Sequence, residues 1–196
     1  MKKLIISILF SVTCIVPAAS IEYTHNTILF NLTFGIGTFS AGEYDNGSVF
    51  LACSISTDWI PNGRNGMSYG IETAVLNGKK QNNNILGIPV IFRIGWHPDF
   101  FKLENIDLFV LGKIGWAFGL WGSNMDEGST SGGIMCGVNI GGSYNFTPVL
   151  RAYVEIGYNY YGLARNSNYP EYPLGYGSGK TYTSVGVSLK FAKETL

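Results

Sequence analysis

The chain has 196 residues with 13 basic and 13 acidic side chains, a formal net charge of +0, so nothing in its charge favours a nucleic-acid partner. It is 13% charged, 14% aromatic and holds 26 glycines, a profile poor in charge for a soluble domain. No stretch beyond residue 20 is long and apolar enough for a transmembrane helix, so membrane entry would require strands that satisfy one another's backbone groups.

The N-terminus opens on Lys2-Lys3, continues with an apolar run from Leu4 to Val16 and reaches Pro17-Ala18-Ala19-Ser20. A basic start, a short apolar run and small residues predict a secretory signal peptide over 1–20, cleaved near Ser20. The run is shorter than the ~20 residues of a membrane anchor, and Thr13 before Cys14 is a poor fit to a lipoprotein signal. Without Lys2 and Lys3 the remaining 21–196 carries 11 basic and 13 acidic residues, a net charge of −2, and its length suits one domain. Cys53 and Cys136 fall on apolar faces of separate predicted strands, so they are read as small buried hydrophobes, not a disulfide.

The first alternating run sets Ile28, Phe30, Leu32, Phe34 and Ile36 against Asn31, Thr33, Gly35 and Gly37, the period-two contrast of a β-strand. Asn46-Gly47 marks a hairpin turn. The second run opposes Val49, Leu51, Cys53, Ile55 and Trp59 to Ala52, Ser54, Ser56 and Asp58, and Pro61-Asn62-Gly63 ends it. The third opposes Tyr69, Ile71, Thr73 and Val75 to Ser68, Gly70, Glu72 and Ala74 before a polar stretch over 77–84. The fourth opposes Leu86, Ile88, Val90, Phe92, Ile94 and Trp96 to Gly87, Pro89, Ile91, Arg93 and Gly95. Pro89 cannot donate to a ladder, which predicts a bulge or a missing hydrogen bond. His97-Pro98-Asp99 reads as turn chemistry, and a fifth strand over 106–118 is apolar on both faces in its first half.

The segment GIMCGVNIGGSYNFTPVLRAYVEIGYNYYG, from Gly133 to Gly162, holds two long runs meeting at Thr147-Pro148, where proline suits a turn. Ile134, Cys136, Val138, Ile140, Tyr144 and Phe146 share a face on one run; Leu150, Ala152, Val154, Ile156, Tyr158 and Tyr160 share one on the other. Strands of about a dozen residues are roughly twice the usual globular length and suffice to cross a bilayer. An eighth strand follows the loop 163–179, with Val185, Val187, Leu189 and Phe191 opposite Tyr182, Ser184, Gly186, Ser188 and Lys190.

Eight antiparallel strands with one apolar face make either a soluble barrel with that face inside or a membrane barrel with it outside. The charges Glu72, Arg93, Lys113, Arg151, Glu155 and Lys190 all lie on the other face. Ten glycines share that charged face, which suits a narrow lumen and not a water-facing surface. Laid alternately up and down, the strands bring Phe30, Trp59, Tyr69, Trp96, Tyr144, Phe146 and Phe191 to one rim and Trp116, Phe118, Tyr158 and Tyr160 to the other, the two aromatic girdles of a transmembrane barrel. The fold class is therefore all-β: an eight-stranded antiparallel up-and-down transmembrane β-barrel.

The whole pattern, and most specifically GVNIGGSYNFTPVLRAYVEIGYNYYG with the closing TYTSVGVSLKF, resembles the small bacterial outer-membrane barrels of the OmpA, OmpX and opacity-protein kind. The resemblance implies a bacterial outer-membrane location, lipid as the surrounding partner, and recognition of the last strand by the barrel-assembly machinery through an aromatic residue. Phe191 resembles that aromatic, although 192–196 follow it. An OmpA-type peptidoglycan-binding domain is not expected. With both termini in the periplasm, the connections 40–47, 78–84, 120–132 and 162–179 face outward.

For function, the mixed-sign lumen charges are expected to form a plugging network, with a narrow path for ions or small solutes as the alternative. A lipid-modifying enzyme ranks third, because it would need a histidine at the outer rim and the two histidines, His25 and His97, fall at the other end. Gly175–Thr181 departs from phosphate-loop spacing and leads into a strand, and the sequons at Asn31 and Asn46 carry no meaning in such a membrane. No cofactor, metal or catalytic residue is expected. Arg165, Tyr169, Tyr172 and Tyr176, interleaved with prolines, are the candidate contacts for an extracellular protein or glycan.

Overall fold

The computed structural model describes residues 26–39, 48–61, 66–80, 83–98, 105–122, 129–163, 176–177 and 179–193. Alternation carries through into strands β1 (Asn26–Phe39), β2 (Ser48–Ile60), β3 (Met67–Lys80), β4 (Asn83–Trp96), β5 (Ile106–Gly122), β6 (Ser129–Asn145), β7 (Leu150–Leu163) and β9 (Gly179–Lys193). A two-residue strand, β8 (Tyr176–Gly177), pairs with the end of β7. All neighbours are antiparallel, and β1 pairs with β9 while β6 pairs with β7, so eight strands close a barrel.

Following the ladder round from Asn31 through Ser56, Glu72, Ile91, Gly115 and Met135 arrives on β7 at Tyr161. The other way, through Ser188, it arrives at Arg151, ten residues earlier. That stagger tilts the strands by roughly 35–45° to the barrel axis.

The closed sheet is apolar outside and polar inside. Most large apolar side chains of the predicted apolar faces are exposed, from Leu32 at 38% to Ile71 at 63%, and Tyr69, Leu86, Ile106, Leu108 and Tyr160 are half-exposed. Asp58, Glu72, Arg93, Lys113, Arg151 and Glu155 are all buried. Cys53 and Cys136 are free and exposed on the exterior; the expectation of burial was wrong because the apolar face here looks out.

Two sequence readings stopped short. Residues 77–80 and 83–84, and likewise 119–122 and 129–132, belong to strands, because ladder pairing continues where side-chain alternation fades. At Pro89 the register with β3 holds, with Thr73 opposite Val90 and Leu76 opposite Gly87, but the two intervening pairs are missing. The result is a local gap without a bulge, and Thr73 Oγ1 donates to the Pro89 carbonyl across it at 3.1 Å.

The turn between β6 and β7, at the end of the barrel bearing the termini, is tight. Thr147 Oγ1 accepts from the Val149 and Leu150 amides at 3.2 and 2.9 Å. Gly66, at φ +72°, sits against the His97 backbone where a Cβ would strike it, and its carbonyl accepts from the His97 amide at 2.9 Å.

Candidate functional site

The lumen is filled in four layers whose order follows from β5, where Asp107, then Phe109 and Leu111, then Lys113, then Ala117 point inward in succession. The central layer is a closed ring of ions. Arg93 Nη1 lies 3.1 Å from Glu72 Oε2, which lies 2.9 Å from Lys113 Nζ; Lys113 is 3.4 Å from Glu155 Oε2, and Glu155 Oε1 is 3.5 Å from Arg93 Nη2. Glu72 on β3 and Glu155 on β7 stand on opposite sides of the barrel, so the two cations tie its walls together across the lumen. Asp58 joins from β2 at 3.2 Å from Arg93 Nε, and Asn139 donates to Glu155 at 3.0 Å.

Burial of these charges is tolerable only because each meets opposite charge and hydrogen-bond partners. The five ions of the ring carry three negative and two positive charges.

On the side away from the termini the ring is covered by Phe50, Ala52, Ala74, Leu76, Ile91, Ala117, Met135 and Tyr182. Lys113 Nζ lies 5.8 Å from the Tyr182 ring centroid, which joins the two layers. On the other side Phe109, Leu111 and Tyr153 pack together. The inward facing of Phe109, Leu111, Tyr153 and Tyr182 follows from the alternation, but their grouping into two apolar layers does not, because these residues share a face with glycine and serine.

The fourth layer lies at the terminus-bearing end. His97 Nδ1 is 2.8 Å and Arg151 Nη1 3.0 Å from Asp107 Oδ2, and His97 Nε2 is 3.2 Å from Ser68 Oγ. Reading His97 as plain turn chemistry was therefore incomplete: it is buried, and the backbone bond from Gly66 turns it back into the barrel. The connectivity of Ser68, His97 and Asp107 is that of a hydrolytic relay. Ser68 is 1% exposed, however, and Arg151 also binds the carboxylate, so the three side chains tie β3, β4 and β5 together at the mouth. Lys190 sits half-buried near Arg151 and Asp107, at the edge of this layer and apart from the ring.

The layers connect. Arg151 Nε donates to Ser188 Oγ at 3.0 Å, Ser188 donates to Asn31 Oδ1 at 2.5 Å, and Asn31 Nδ2 donates to Asp58 Oδ2 at 2.7 Å. One polar network thus runs from Ser68 to Asn139, with a member on each of the eight barrel strands. Asp58, Asp107 and His97 were not among the expected network members. Asp58 and Asp107 did fall on the right face, and nothing in a one-dimensional pattern marks their partners.

Outside, Trp59, Trp96, Tyr144, Phe146 and Phe191 are exposed at the terminus-bearing end and Trp116 and Tyr158 at the other; Tyr69 and Tyr160 are half-exposed. Edge contacts join Phe30 to Phe191 at 5.7 Å and Tyr144 to Phe146 at 5.1 Å. Arg165, Tyr169 and Tyr172 lie outside the described residues, as does the Tyr176 side chain.

No protein-family model and no curated protein sequence matches the chain. Solved structures do. Neisserial surface protein A is similar at a TM-score of 0.62 and 15% identity, over 85% of this chain and 97% of that one. This is the fold of the small outer-membrane β-barrels. The attachment invasion locus protein Ail of Yersinia pestis, solved with the heparin analogue sucrose octasulfate, gives 0.53 at 11% identity over 85% and 99%. The outer-membrane protein OprG of Pseudomonas aeruginosa gives 0.50 at 10% over 88% and 98%. Identities this low speak for the fold alone. That fold, with an apolar exterior that lipid satisfies, makes the chain a transmembrane β-barrel.

Proposed function

We propose that this barrel is a non-conducting, non-catalytic envelope protein, a rigid platform whose surface-interaction role belongs to the connections at the end away from the termini. That orientation places both termini in the periplasm. The observation that carries the reading is the closed Glu72–Arg93–Lys113–Glu155 ring held between two apolar layers, which leaves the lumen as a packed core. The burial of Ser68 supports the absence of hydrolysis, since a nucleophile has to reach its substrate.

Reconstitution into planar bilayers tests the first half. A silent membrane is expected; discrete steps that change with Arg93→Ala or Glu155→Ala would make the protein a narrow channel instead. Deleting 165–176, which removes Arg165, Tyr169, Tyr172 and Tyr176, tests the second half. Binding to host protein or to a glycan array should fall while the β spectrum is kept, and unchanged binding would reject that connection. Sulfated glycans belong in the array because of the ligand bound to Ail. Altered lipid A or phospholipid mass on overexpression would restore the enzyme reading.

A further inference from the structure

A barrel has one seam that no connection spans, here between β1 and β9, the first and last of its long strands. Three lumen contacts cross that seam, and two of them skip a strand. Tyr153 on β7 passes over β9 at Gly186, where an added Cβ would lie 2.4 Å from its ring, and bonds to Thr33 on β1. Gly37 on β1 faces Tyr182 of β9 on one side and Phe50 of β2 on the other. With Gly35 and Gly37 supplying no side chain, those two rings meet over β1 and stack at 6.3 Å and 12°. Nearer the termini, Asn31 links Ser188 of β9 to Asp58 of β2.

We infer that Tyr153 and Tyr182 are closure clasps that hold the β1–β9 seam from inside the lumen, with Gly186 and Gly35 as their seats. Elsewhere each strand pair is joined by a connection that keeps its partners close. At this seam only non-covalent contacts resist parting, and the clasps link β7 to β1 and β9 to β2, so the seam cannot open without breaking them as well as the ladder.

The test is backbone amide exchange on the refolded full chain in lipid or detergent. Tyr153→Phe combined with Tyr182→Ala should raise exchange in 27–38 and 181–192 at least tenfold relative to 106–118 and 134–144. A uniform rise, or none, would overturn the clasp. Should that variant fail to refold, Gly35→Ala carries the test, because the nearest contacts of its added Cβ are all with the Tyr182 side chain. Gly35→Ala should loosen the seam selectively, and adding it to Tyr182→Ala should change nothing further. An additive effect would show that Gly35 acts other than as a seat for that ring.

Discussion

Removing a cation from the lumen ring should cost more than removing an anion. The ring holds Asp58, Glu72 and Glu155 against Arg93 and Lys113, all of them buried. Arg93→Met leaves three carboxylates facing one ammonium and abolishes contacts at 3.1, 3.2 and 3.5 Å, together with a 2.6 Å hydrogen bond to Ser56. Stranding a buried charge in this way costs about 3–5 kcal/mol. Glu155→Gln instead leaves two anions with two cations and keeps an amide oxygen for Asn139, so its cost should stay near the ~1 kcal/mol of an ordinary hydrogen bond. Urea unfolding in lipid vesicles, followed by the boiling-sensitive gel shift, measures both. Equal losses, or a larger loss for Glu155→Gln, would refute the charge accounting and mean that the ring is hydrated or differently paired.

Asp107→Asn strands Arg151 beside Lys190 and should cost about 3 kcal/mol in the same assay, whereas Ser68→Ala should cost about 1 kcal/mol. Arginine at Val138, which is 59% exposed at mid-strand, should cost roughly 2–4 kcal/mol in a bilayer, and at Phe146, 62% exposed just past the end of β6, about 0–1 kcal/mol. Pro89→Val restores a backbone donor opposite β3, and its new amide should be protected from exchange; rapid exchange there would mean that the gap has a cause other than the missing N–H.

Much of this was legible in the sequence because a barrel strand is a period-two object: inward and outward sets fell out of the alternation on every strand from Ile28 to Phe191. The sorting of charge and glycine onto one face gave the direction, since glycine has no reason to coat a water-facing sheet but makes room for rings such as Phe109 over Gly141. The spatial pairing was not legible. His97 follows the last residue of β4 and enters the lumen only because Gly66 holds its backbone. Asp107 sits at the start of the strand least clean in its alternation. The ring itself depends on the stagger around the barrel, which sets Lys113 of β5 against Glu155 of β7 and Glu72 of β3, a relation between strands that share no ladder. Strand ends were missed where polar residues extend past the apolar band, as at 77–80.

The most direct test of the whole account asks which face meets lipid. Trp59, Trp96 and Trp116 are exposed on the barrel exterior, so refolding into bilayers with brominated acyl chains should strongly quench tryptophan emission, and single-tryptophan variants should place Trp96 and Trp116 at opposite depths. Emission unaffected by the bromines, from a protein that stays soluble and monomeric without detergent, would contradict it and return the charged rows to water.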